Sequence, residues 1–462
     1  MPLPGCAPQT LTRSRLPAQI DLSAFKIQRN RRLGGRVLIA GLALVLITML
    51  AVGKHHTPEA IEHAKVTRLG PKNPLKSKIP LHSFRANLKD NAGYVTSFPY
   101  GGLTNQLIEL FKLVHLGQLL DRSAILTELK ATHGEGEDVP LSTYFDLPSF
   151  SYYTNASMVE WRDVKIPDIP GTADEQLSCW GWRNEEPLHR YNVKTAFWPP
   201  PGQLTVPSSI ETSMTFPAIE VLVSQNWDGW LKETAERYFG SVQAAPPFPD
   251  KRLLCFENLF YVPSTRFVHG TIDNRYSIEE LAPEDPVWRD VGRHLKFTPH
   301  VNHIADELLQ ALLGRSASRP FIGVHLRQGD FVQFGRIEGG ESSVLIERYS
   351  DAVDQVQKDL IQQKRSKKSK YGAKSSTKPV PVLFTTDSAE PALLRKLSNL
   401  GWVYVNHVEF ATQARFGGWM PAVLDSAILS RASGFVGTKQ STFSYVTARR
   451  VESWNEGVSI IV

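Results

Sequence analysis

Four short segments carry polar side chains and glycines in patterns suited to chemistry. In Tyr100-Gly101-Gly102-Leu103-Thr104-Asn105-Gln106 two glycines precede an apolar stretch. Paired glycines let a ligand approach the backbone closely, a helix N-terminus offers free N–H groups, and Asn105 adds a neutral amide. In His325-Leu326-Arg327-Gln328-Gly329-Asp330, strand alternation turns His325 and Arg327 to one side. A planar, always charged guanidinium suits an anion; an Arg327–Asp330 ion pair would use the same residues. Thr385-Thr386-Asp387-Ser388 offers Asp387 either to a base or ribose or to a helix cap. Thr438, Gln440, Ser441, Thr442 and Ser444 form a hydroxyl cluster that would cradle phosphate, or simply cap a helix. There is no Asp-x-Asp, HExxH, CxxC, GxSxG or P-loop motif, which disfavours a metal, a serine nucleophile and a Walker-type site.

These segments need elements to aim them. Leu103, Leu107, Leu110, Phe111 and Val114 have helical spacing, and Ala124–Thr127 reads as a buried strand. Strand, glycine turn, helix and strand open an α/β domain. Residues 130–250 are rich in Pro, with few long periodic runs, and predict loops and short helices; Arg252–Phe256 reads as a returning strand. The second half alternates clearly. Strands are expected at Phe321–His325, Val380–Phe384, Val403–Val405 and Gly434–Gly437. Helices are expected at Ser343–Gln363, Pro391–Leu400, Met420–Arg431 and Ser441–Glu452, and a linking helix lies around 299–318. That order predicts a parallel, doubly wound sheet whose ligands bind beyond the carboxyl ends of the strands.

The chain has 462 residues, 42 % hydrophobic, with a net charge of +6. It is long enough for two or three domains. Residues 1–36 carry +6, residues 53–80 carry +4, and the run 364–378 carries +7, which leaves −11 for everything else. An acidic body argues against a nucleic-acid groove. The basic run reads as a solvated loop between a helix and a strand, with an acidic partner or membrane surface as the alternative. Val37–Val52 is sixteen residues without a charge, flanked by Arg36 and Lys54. At roughly 24 Å it would just span a thin bilayer. A cleavable signal peptide is the competing reading, but 36 residues precede the run. The expected layout is a cytosolic tail 1–36, a signal-anchor 37–52, a Pro-rich stem 53–90, and a lumenal body in the Golgi or endoplasmic reticulum. Asn155-Ala156-Ser157 is a glycosylation sequon, while Cys179 and Cys255 would either pair or stay as buried thiols.

The four segments together carry a resemblance. Gly101–Gln106, Phe321–Phe331, Leu383–Ser388 and Asp425–Arg450 are similar, in order and spacing, to the GDP-fucose protein O-fucosyltransferase family across roughly residues 94–455. The resemblance implies an α/β GT-B fold: two Rossmann-like domains, 91–300 on the acceptor side and 301–462 on the nucleotide-sugar side, facing each other across a cleft. It implies GDP-fucose as donor substrate, no cofactor and no metal, and a protein or glycan hydroxyl as acceptor. By similarity, Arg327 and Asn105 are catalytic: Arg327 would hold the β-phosphate and Asn105 would face the reacting sugar. Gly101, Gly102, His325, Asp330, Asp387, Ser388, Ser441, Thr442 and Phe443 would contact the donor. Some relatives place a Glu just before the glycine turn as base. Here Tyr100 and Gly101 stand there, and Glu109 and Asp330 are merely near in sequence. A transferase of the same fold using another nucleotide sugar, and a non-catalytic lumenal binding protein, stay open on sequence alone.

Overall fold

The computed structural model describes residues 73–167, 175–181, 187–199, 214–224, 227–264, 281–314, 319–329, 331, 342–369 and 380–462. Two parallel sheets organise them. The first has strand order β3-β2-β1-β6-β4-β5, built from β1 (Tyr94–Ser97), β2 (Ser123–Leu126), β3 (Met158–Glu160), β4 (Glu175–Trp180), β5 (Val193–Trp198) and β6 (Leu253–Phe256). The second has order β11-β10-β7-β8-β9, from β7 (Ile322–Leu326), β8 (Val382–Thr386), β9 (Val403–Tyr404), β10 (Gly434–Gly437) and β11 (Val458–Ile461). Every pairing within them is parallel.

Both faces of the central strands are buried, which is why they read as apolar runs and not as alternations. In β1 and β2, Val95 and Ala124 face one core, which includes helix α1 (Leu103–Leu119), while Tyr94 and Ile125 face another. In β7 and β8, Val324 and Phe384 pack with Val353 and Val356 of helix α5 (Ser342–Ser369), while Leu383 joins the core of the opposite face. Between the sheets in sequence come α2 (Phe216–Ser224), α3 (Trp227–Phe239) and α4 (Pro299–Leu313). The second sheet also carries α6 (Pro391–Asn399), α7 (Met420–Leu429) and α8 (Thr442–Asn455).

The structure departs from the sequence reading in four places. The stem expected over 53–90 is packed from Asn73 onward. Leu75, Phe84 and Leu88 are buried, and Phe84 meets Trp161 edge-on at 5.7 Å. Irregularly spaced anchors among prolines leave no period to detect. The region 130–250 contributes three strands, β3, β4 and β5, beside its helices. The basic run starting at 364 is helical through Ser369, because Lys and Arg are good helix formers and α5 continues into them. Strand β11 was not expected; all four of its residues are half-buried. The uncharged run Val37–Val52 lies outside the described residues. Among those described, no helix is long and apolar enough to cross a membrane.

Cys179 and Cys255 are joined by a disulfide, with Cα atoms 4.4 Å apart on the neighbouring strands β4 and β6. Asn155 is exposed in the left-handed region (φ 50°) at the C-terminal cap of the helix Leu147–Thr154, so the sequon is accessible.

Candidate active site

The carboxyl ends of β7 and β10 are tied together by one hydroxyl. Thr438 Oγ1 accepts the Arg327 N–H at 2.8 Å, donates to the His325 carbonyl at 3.0 Å, and lies 2.6 Å from the Tyr349 hydroxyl. This fixes the backbone from which the Arg327 side chain projects. The Arg327 guanidinium then meets Asp387 at the end of β8, Nη1 to Oδ2 2.9 Å. The other carboxylate oxygen of Asp387 accepts the Gln328 N–H at 2.7 Å. Asp387, expected to read base or ribose, is thus occupied in orienting Arg327 and its loop. Gly329 is needed here, since a Cβ would fall 2.4 Å from Asp387 Oδ2. Asp330 lies outside the described residues. Ser388 is used locally: its hydroxyl accepts the Glu390 N–H at 3.2 Å, at the entrance to α6.

His325 is buried, and its ring lies against Phe443, tilted by 33° with centroids 4.4 Å apart. Its Nδ1 lies 2.8 Å from Ser444 Oγ, which also accepts the Thr438 N–H at 2.9 Å. Burial, with Arg327 adding to it, pushes the imidazole down to about 3, so the ring is neutral. Ser441 caps α8 by accepting the Ser444 N–H at 3.3 Å. The first turn and positive dipole end of the helix thus follow directly on Thr438, which holds the Arg327 backbone.

The first sheet supplies the other wall. Gly101 has φ +65°, and a Cβ there would meet Asn105 Nδ2 at 2.6 Å, so this position demands glycine on both counts. Asn105 Oδ1 accepts the Thr442 hydroxyl at 2.7 Å, and Thr104 Oγ1 lies 2.9 Å from the same hydroxyl. The N-termini of α1 and α8 thus touch, and the two halves of the expected site are brought together. Among the described residues no group of three or more His, Cys, Asp or Glu side chains is placed to hold a metal ion.

The floor beneath Gly101 depends on two buried charged residues on α1. Glu109 Oε1 accepts the Leu259 N–H at 2.9 Å, and Lys112 Nζ donates to the carbonyls of Phe260 at 2.7 Å and Val262 at 3.1 Å. This clamps a segment whose Tyr261 hydroxyl reaches the Tyr100 hydroxyl at 2.8 Å. Burial pushes the Glu109 carboxyl up to about 8, outweighing the opposite pull of the Leu259 N–H and Lys112. Folded protein then keeps a proton that the unfolded chain releases near its ordinary value, so this group destabilises the fold increasingly as pH rises. Glu109→Gln is expected to gain on the wild type by a few kcal/mol as pH goes from about 5 to about 8. Parallel urea titrations whose difference stays flat with pH would refute this.

The sequence profile of the GDP-fucose protein O-fucosyltransferase family matches residues 94–453, which spans both sheets and every segment above. The chain belongs to that family. It is therefore a glycosyltransferase, of the class that draws fucose from GDP-fucose. No curated protein matches this transferase in sequence. Among solved structures it is similar to POFUT1 in complex with GDP-fucose, at 16 % identity and a TM-score of 0.46, over 81 % of this chain and 98 % of that one. It is also similar to the fucosyltransferase NodZ from Bradyrhizobium, at 15 % identity and a TM-score of 0.36, over 77 % and 93 % of the two chains.

Sequence reasoning on the transferase missed Tyr349, whose hydroxyl on Thr438 comes from near the start of α5, and the loop 130–138, which reaches both walls. Neither carries a motif. Their roles arise from spatial neighbours more than 80 positions away, and no local signal could have exposed them.

Proposed function

We propose that this transferase moves fucose from GDP-fucose to a hydroxyl, on a Ser or Thr of a secretory protein or on its glycan, with inversion and without a metal. The observation that carries the reading is the convergence of Arg327 and the α8 N-terminus, linked through Thr438, on one side of a cleft whose other wall is Asn105. Departure of GDP builds negative charge on the β-phosphate, and preorganised donors aimed there lower the barrier. Arg327 takes that charge, held in aim by Asp387. The N–H groups of α8 and the Ser441 and Thr442 region receive the phosphates. The His325–Phe443 ring pair borders the nucleotide. The disulfide and the accessible sequon support a lumenal body, since disulfides persist in oxidising compartments. The uncharged run 37–52 supports a type II anchor in the Golgi or endoplasmic reticulum membrane.

The test is GDP release by the purified protein from GDP-fucose, compared with other nucleotide sugars, with and without acceptor. Preference for another donor would overturn the fucosyl assignment. Transfer is expected to survive EDTA, because a guanidinium and helix N–H groups supply the positive charge. Loss on chelation, restored by Mn²⁺ or Mg²⁺, would refute the metal-free mechanism.

A further inference from the structure

Inversion at the sugar requires something to take the acceptor's proton, and the side chains so far described are unsuited. His325 is buried with Nδ1 engaged, Asp387 is held by Arg327, and Glu109 is buried beneath the floor. We propose that His133 is the general base, presented by the loop 130–138 to an acceptor entering through the cavity that the same loop borders. This rests on the fucosyl-transfer reading above.

The loop is held at both ends and braced at its tip. Gln106 Nε2 donates to the Lys130 carbonyl at 2.8 Å while its Oε1 accepts the Lys130 N–H at 2.9 Å. Thr132 Oγ1 donates to the Gly101 carbonyl at 3.1 Å. Glu135 Oε2 accepts the N–H groups of Thr132 and His133, at 2.9 and 2.6 Å. From the second half of the chain, Trp419 Nε1 donates to the Glu137 carbonyl at 2.9 Å, and Gly418 abuts the Glu135 carbonyl so closely that a Cβ would lie 1.9 Å from it.

The result is an exposed imidazole held against the glycine turn. His133 Nε2 lies 3.1 Å from where a Cβ on Gly102 would stand. Gly102 caps α1 with φ −71° and ψ 174°, a conformation open to any residue, at a position where Ser, Thr, Asp or Asn would normally supply a cap. The His133 ring lies close to the space that a side chain there would take. One turn further along α1 stands Asn105, bonded to Thr442 across the cleft. A cavity of about 510 Å³ is lined by both ends of the loop, Lys130 and Asp138, together with Phe98, Thr127, Glu128 and Tyr191. An acceptor seated there lies alongside the loop that carries the imidazole.

The step balances. The acceptor O–H proton passes to the imidazole lone pair of His133, the acceptor oxygen bonds to C1 of fucose, and the C1–O bond breaks with its electron pair leaving on GDP. The imidazolium then returns its proton to solvent. On its own loop Glu135 is engaged with the backbone N–H of His133, the first turn of α1 has no acid, and Gly417–Trp419 carries no charge. Arg415 is turned to the Phe410 carbonyl.

The experiment measures GDP release by the full-length protein from GDP-fucose, with unfucosylated secretory glycoproteins as acceptor probe. His133→Gln and His133→Ala are expected to lower kcat by about 10²-fold with the KM for GDP-fucose unchanged. Added imidazole should partly restore His133→Ala. Activity within threefold of wild type, no rescue by imidazole, or a loss confined to donor KM would overturn the assignment. Wild-type protein that releases no GDP would instead overturn the transfer reading, and this inference with it.

Discussion

Arg327→Ala is expected to reduce fucosyl transfer by about 10²–10³-fold at saturating GDP-fucose. The side chain is fixed from two directions. Its own N–H is held by Thr438, and its guanidinium by Asp387 at 2.9 Å. Preorganisation of this kind stabilises charge only where charge develops, so the loss falls chiefly on kcat and less on donor affinity, which α8 still provides. Arg327→Lys should recover little, because a compact ammonium cannot serve Asp387 and a phosphate with one planar fork. Turnover of Arg327→Ala within a few-fold of wild type would place the cation for the leaving group elsewhere.

Removing the disulfide is expected to have the largest effect on stability. Cys179 and Cys255 are 76 positions apart, and both are buried among Leu177, Leu253 and Tyr94. A cross-link closing a loop of that length restricts the unfolded chain by about 4 kcal/mol in the chain-entropy account. Cys179→Ala/Cys255→Ala should therefore shift the urea midpoint downward, and reductant should do the same to the wild type. Unchanged midpoints in both would show that the bond adds no stability. The glycine turn lies at the end of β1 in the same sheet as the disulfide, so lost stability would also appear as lost activity at physiological temperature.

Much of the catalytic half was legible from residue order alone. Apolar runs at Ile322–Leu326, Val382–Thr386 and Gly434–Gly437 announce buried parallel strands, because strands covered on both faces cannot alternate. Ligands of such sheets sit beyond the strand ends, which points to Arg327, Asp387, Thr442 and Asn105 from residue order. The first half was less legible. The strands Glu175–Trp180 and Val193–Trp198 sit among prolines and tryptophans, and they are held by pairing with each other and, through β4, with Phe256, a non-local interaction that no window reveals. Leu75, Phe84 and Leu88 looked like stem for the same reason: only contact with Trp161 and the first sheet gives them a core. Tertiary structure alone decided three matters of chemistry. It paired Asp387 with Arg327, joined Asn105 to Thr442 across 337 positions, and set His133 against Gly102. Each depends on chain segments brought together by burial of apolar surface, a force without direction along the sequence. Residue types and local spacing therefore determined which groups were available, while packing determined which of them meet.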